Sequence, residues 1–198
     1  MRNARKDRNR SAPQSGDRTG WFAATTLQDL AEQTARWLEG TSTYLPTYLA
    51  PAPDPETEPL VGVLAQMNRL GLMTDSSQPG SPLENGSGQR AAVTGWCSTQ
   101  VARKIITGTL GTDLVVMVDG PGATGTPVVV TISKNIEYTW FGRFADPDEV
   151  VAIWGGDLHP KSLAALLDAM TVTVIDPVWG RNDLLWPALV VALQTPDV

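Results

Sequence analysis

The residues with the most chemistry to offer fall in two polar stretches. Thr74-Asp75-Ser76-Ser77-Gln78-Pro79-Gly80 brings hydroxyl and amide groups into a turn held by Pro79-Gly80, an arrangement suited to an oxygen-rich ligand. Gln89-Arg90 follows, and the Arg90 guanidinium can offer two parallel donors to a carboxylate or phosphate. Asp176-Pro177-Val178-Trp179-Gly180-Arg181 then supplies a carboxylate, an aromatic face on which a planar ring can stack, and a second guanidinium. Thr74, Ser76, Ser77, Gln78, Gln89, Arg90, Asp176, Trp179 and Arg181, joined by Cys97 and Asp119 at two further strand ends, therefore read as candidates for binding an anionic or nucleotide-like molecule. Ser, Asp, Asn and Gly also dominate ordinary turns, so backbone geometry alone is the competing explanation.

Other motifs fail on inspection. Gly120-Pro121-Gly122-Ala123-Thr124-Gly125 has the spacing of a dinucleotide-binding turn, but the Val-rich residues after it read as strand where that motif needs a helix facing the pyrophosphate. His159 is the only histidine and precedes Pro160, at a helix cap. Cys97 lies just before a helix whose positive end can activate a thiol, although a lone cysteine is more often a small core residue. Asp146, Asp148 and Glu149 suit a helix start. General acids or bases are limited to Asp75, Asp119, Asp176 and His159, which leaves open whether the chain is an enzyme. No metal-ligand pattern or cofactor fingerprint is found, so neither group is expected.

Met67-Asn68-Arg69-Leu70-Gly71-Leu72-Met73-Thr74-Asp75-Ser76-Ser77-Gln78-Pro79-Gly80, followed by Gln89-Arg90-Ala91-Ala92-Val93-Thr94-Gly95, resembles an uncharacterised family of small proteins from actinobacteria, actinophages and some large DNA viruses. The similarity is strongest over about residues 21 to 97. It implies that the Ser-Gln-Pro and Gln-Arg elements belong together, and it implies no particular activity.

These residues need elements to hold them. Thr26 with Asp29 forms a capping signal for a helix that buries Leu27, Leu30, Ala31, Thr34, Trp37 and Leu38 and ends at Gly40. A proline-rich extended stretch over 41–55 leads to a second helix from about Thr57 to Gly71. Leu72 to Thr74 reads as a short strand and Asp75 to Gly88 as a long loop. Arg90–Trp96, Ser98–Leu110 and Asp113–Val118 read as strand, helix and strand, a spacing that predicts a crossover unit with parallel strands. Residues 127–133 and 136–144 read as an antiparallel pair about Lys134-Asn135. Helices from Pro147 and Pro160, a strand over Thr171–Ile175 and a closing helix from Asp183 or Pro187 complete the chain. The expected fold is a single α/β domain over 21–198, its mixed, mostly parallel sheet flanked by helices, with the ligand at the carboxyl ends of the strands.

Composition sets the outer limits. The chain is 42% hydrophobic and 18% charged with seven tryptophans, enough to fill one core at 198 residues. Residues 1–20 hold six basic groups against Asp7 and Asp17, a charge of +4; the total of −6 therefore leaves −10 on the rest. Nucleic acid or an acidic partner is thus expected to meet the chain at this basic, flexible tail, which gives a second functional reading as an interaction or regulatory protein. No run is long and apolar enough for a membrane span, the first twenty residues lack the apolar segment of a signal peptide, and the single cysteine suits a reducing compartment; a cytoplasmic location is expected. The aromatic residues Tyr138, Trp140, Phe141 and Phe144 offer a surface for a homo-oligomer.

Overall fold

The capping signal at Thr26 works as the sequence demands. In the computed structural model, which describes residues 18–48 and 50–196, its hydroxyl accepts from the Asp29 backbone and the Asp29 carboxylate accepts from the Thr26 backbone. A short helix α1 (Thr19–Ala23) precedes this cap and sinks Trp21 into the core. Arg18, Thr19 and Gly20, which composition groups with the basic tail, belong to this folded start, while residues 1–17 of that tail lie outside the described residues. Helix α2 (Leu27–Leu38) packs its apolar stripe on α3 (Val61–Arg69), which a 3-10 turn over Pro55–Leu60 introduces. Arg69, at the end of α3, bridges Glu32 of α2 (3.1 Å) and Glu39 at its C-cap (2.6 Å).

The seven strands are β1 (Met73–Gln78), β2 (Ser81–Glu84), β3 (Ser87–Cys97), β4 (Val115–Asp119), β5 (Val128–Ser133), β6 (Ile136–Phe141) and β7 (Met170–Trp179). Every pairing among them is antiparallel. The expectation of a mostly parallel sheet is therefore wrong, and the reason is local. β3, helix α4 (Thr99–Gly108) and β4 do form strand, helix and strand, and β3 and β4 run in the same direction, but β7 inserts between them and pairs antiparallel with both. The stretch over Asp75–Gly88, expected to be a loop, is instead most of β1 and all of β2. Asn85 and Gly86 turn the chain with φ of 50° and 73°, the primed turn that matches the twist of a hairpin.

Strand β3 is the spine. Its C-terminal part pairs with β1 and β7, its N-terminal part with β2 and β5, and β5 forms a hairpin with β6. Register then separates two faces, because side chains alternate along a strand. Val93, Val174 and Val116 align across β3, β7 and β4 and belong to the main core with Trp21, Leu30, Leu64, Met67, Leu185 and Leu189 of the helices. Ala92, Ile175 and Met117 form a smaller cluster with Val130 and Phe141 from the β5–β6 hairpin. Helix α7 (Leu185–Gln194) crosses α4 so closely at Gly108 that a Cβ there would overlap Ala192. Helices α5 (Pro147–Trp154) and α6 (Pro160–Leu167) join β6 to β7, and Trp154 sets its ring against Trp21 and Trp96.

Candidate functional site

Both polar stretches meet at the point where β3 changes partners. Gln78, the last residue of β1, is buried; its amide nitrogen donates to the carbonyls of Arg90 (2.9 Å) and Val130 (3.1 Å), and its oxygen accepts from the Thr131 hydroxyl (3.0 Å). The Gln78 amide therefore has its hydrogen bonds inside the fold, tying β1, β3 and β5 together. Arg90 spans the same junction. Its Nη1 donates to the Val129 carbonyl at 3.0 Å, and its guanidinium lies 4.4 Å from the centre of the Trp179 ring on β7. A stacked cation of this kind is stabilised by the indole quadrupole, and it occupies one face of the ring that a planar ligand would use.

The second knot lies at the end of β7, which runs to Trp179, so Asp176 and Trp179 sit within the strand and not beyond it. Asp176 is fully buried. It accepts from the Val178 backbone (2.9 Å) and from Arg181 Nε (2.6 Å), and Arg181 reaches onward to Asp113 at 2.7 Å. The Arg181 guanidinium beside it lowers the Asp113 carboxyl below its ordinary value, while Asp176 and then Asp113 raise Arg181. Asn182 clasps Gly80 from both sides, accepting from its backbone nitrogen at 2.7 Å and donating to its oxygen at 3.0 Å. A Cβ on Gly80 would collide with the backbone of Gly180 and Arg181, which requires glycine at this crossing.

The remaining candidates are more scattered. Thr74 is buried, and Asn68 of α3 holds both its hydroxyl and its backbone nitrogen. Ser76 and Ser77 are half-buried on β1, with the Ser76 hydroxyl directed to Asp75 at 3.4 Å. The Gln89 carbonyl accepts from Gly180, adding a rung between β3 and the end of β7. Asp119 ends β4, half-buried. Cys97 is fully buried and burial pushes its thiol up to about 12, so the thiolate form is suppressed at neutral pH. His159 caps α6, accepting from the Lys161 backbone at Nδ1. Phe141 and Phe144 are core residues, leaving Tyr138 exposed on β6.

Charge pairing singles out one of these groups. Three arginines among the described residues are partly withdrawn from solvent: Arg18, Arg90 and Arg181. Arg18 pairs with Asp157 at 3.1 Å and Arg181 with two carboxylates, whereas Arg90 has no carboxylate partner among the described residues. Its Nε is buried and lacks an acceptor. An open surface depression lies elsewhere. A groove of about 470 Å³ runs between the end of α4 and β4, lined by Ile106, Leu110, Leu114, Val116 and Val118 among others, and none of the candidate ligand residues reaches it. Among the described residues no group of three His, Cys, Asp or Glu side chains is placed to hold a metal ion, and no helix is long and apolar enough to cross a membrane.

The two stretches that sequence similarity joined are thus in one place, and residues 16–196 match the family described as Domain of unknown function (DUF6919). The chain belongs to that family. No curated protein matches it. Within this DUF6919 chain, Asn68, Asp113, Thr131 and Asn182 are partners that sequence reasoning missed. Asn68 left a signal, being an amide on the apolar face of α3 next to Met67. Thr131 and Asn182 left none, because their role depends on which strand lies opposite.

Proposed function

We propose that this protein binds a small anion through Arg90. The observation that carries the reading is a guanidinium that is half-buried, stacked on Trp179, unpaired with any carboxylate among the described residues, and set in a chain of net charge −6. A cation removed from water gains most from an anionic partner, and a carboxylate or phosphate oxygen matches its remaining donors. Gln78 serves this reading indirectly by bonding to the Arg90 backbone, and Asp176 and Arg181 by fixing the end of β7, which carries Trp179.

The test is calorimetric titration with inorganic phosphate, citrate and a nucleoside monophosphate. The expected result is saturable binding of at least one, lost in Arg90→Gln, which keeps a donor for the Val129 carbonyl while removing the charge. A flat response from the whole panel, or equal binding by Arg90→Gln, rejects the reading.

The charge segregation supports a second reading, in which the basic N-terminal residues contact nucleic acid or an acidic partner. Those residues lie mostly outside the described part. Deleting residues 1–17 is expected to abolish retention on a DNA or polyanion column and to flatten its salt dependence; unchanged retention rejects it.

A further inference from the structure

We infer that the edge of β4 and the groove beside it receive an extended, apolar, uncharged or basic segment of another protein, added to the sheet as a further strand. β4 stands at the end of the strand order and, among the described residues, pairs only with β7. Its sequence, Val115-Val116-Met117-Val118-Asp119, carries no proline, lysine or bulge of the kind that natural edge strands use to refuse a partner. Val116 and Val118 point to the face on which the groove lies, and Ile106, Leu110 and Leu114 build its other wall. An incoming strand would thus hydrogen-bond to the edge and drop alternate side chains into the groove, the two components that give affinity and specificity in strand addition.

Area and charge decide what kind of partner fits. Two of the residues lining the groove, Leu110 and Ile106, are 73% and 43% exposed. With a whole aliphatic side chain worth roughly 60–120 Å² at the usual transfer coefficient, the two together expose on the order of 100 Å². A stable dimer covers about 800 Å² on each partner, so a second copy of this chain would find too little apolar surface here. Two copies would also bring net charges of −6 together. A single strand needs far less area, and an uncharged or basic one meets Asp119 at the end of β4 without repulsion.

The probe is a fluorescein-labelled heptapeptide with valine, leucine and valine at alternate positions, threonine between them and lysine at each end. Its anisotropy is expected to rise on titration with the full chain, and to need about tenfold more protein when Leu110→Asp is used, a difference of about 1.4 kcal/mol. Leu110 is mostly exposed, so this variant is expected to keep the wild-type urea midpoint, which the same experiment checks. A peptide with proline at its centre is expected not to bind. Absence of binding, binding indifferent to Leu110→Asp, or sedimentation showing that the chain alone is a dimer broken by Leu110→Asp would each overturn the inference.

Discussion

Asp176 shows how a single buried carboxylate can shape the region around it. It is wholly removed from water and relies on the Val178 backbone and Arg181 for compensation. Burying an ion pair gains little net stability, yet removing one partner leaves an uncompensated charge at high cost. Arg181→Met is therefore expected to lower the urea midpoint strongly, and adding Asp176→Asn to recover part of the loss, because a neutral amide is cheaper to bury. A double variant less stable than Arg181→Met would contradict this account. Cys97 offers an independent residue-level check. Its folded thiol titrates at about 12 because burial disfavours the thiolate, well above the ordinary 9.0. A group whose folded value is raised contributes stability that is fully present below its ordinary value and is lost as pH rises through the folded one, so this contribution fades between about pH 9 and 12. Alkylation by iodoacetamide at pH 8 is expected to be negligible in the native protein and rapid in urea; fast labelling of the native chain would show the site to be open.

At the level of elements, the two hairpins make opposite use of turn chemistry. Asn85-Gly86 has residues that accept positive φ, but the β5–β6 turn places Lys134 and Asn135 at 52° and 62°. Lysine in the left-handed region costs about 1–2 kcal/mol relative to glycine. Lys134→Gly is therefore expected to raise stability by about 0.5–1 kcal/mol once its extra unfolded-state freedom is deducted, a gain readable in urea denaturation, and a loss would show that the lysine side chain contributes packing. The same contrast explains what could be read in advance. The helices over 27–38, 99–108, 147–154 and 160–167 and the β5–β6 hairpin follow from periodicity, caps and local turns. Asn85-Gly86 is an equally local hairpin signal, obscured because Ser81–Glu84 is exposed and polar enough to resemble a loop. The insertion of β7 between β3 and β4 has no local trace, since strand partners are chosen by long-range packing. For the site, similarity joined Gln78 to Arg90 correctly in space, while the backbone carbonyls of Val129 and Val130 that bind them carry no side-chain signature.

For the molecule as a whole, acid is the informative variable. Asp29 is held below its ordinary value first by the Thr25 backbone and then by the Thr26 hydroxyl, Glu39 by Arg69, and Asp113 by Arg181. A carboxylate lowered in the folded state contributes stability that is present above its unfolded value and is lost as pH falls through the folded one. These three groups, whose ordinary values are 3.8 and 4.5, therefore begin to cost stability as the unfolded chain takes up protons below about pH 5, and continue to do so below pH 3.8. The net field acts in the opposite sense at first, because approach to the pI of about 4.7 relieves repulsion within an acidic chain. The urea midpoint is accordingly expected to change little from pH 7 to 5 and then to fall steeply. Salt separates the two contributions: screening weakens the half-exposed Arg69 bridges to Glu32 and Glu39, but also the general repulsion at pH 7. Glu39→Gln in 0.5 M salt should leave the descent below pH 5 nearly unchanged, since its exposed pair is already screened, whereas in low salt it should make that descent visibly shallower. If the low-salt slope is the same in both proteins, the bridge from Arg69 of α3 to Glu39 contributes nothing to acid stability and the descent belongs to other groups, Asp29 and Asp113 among them.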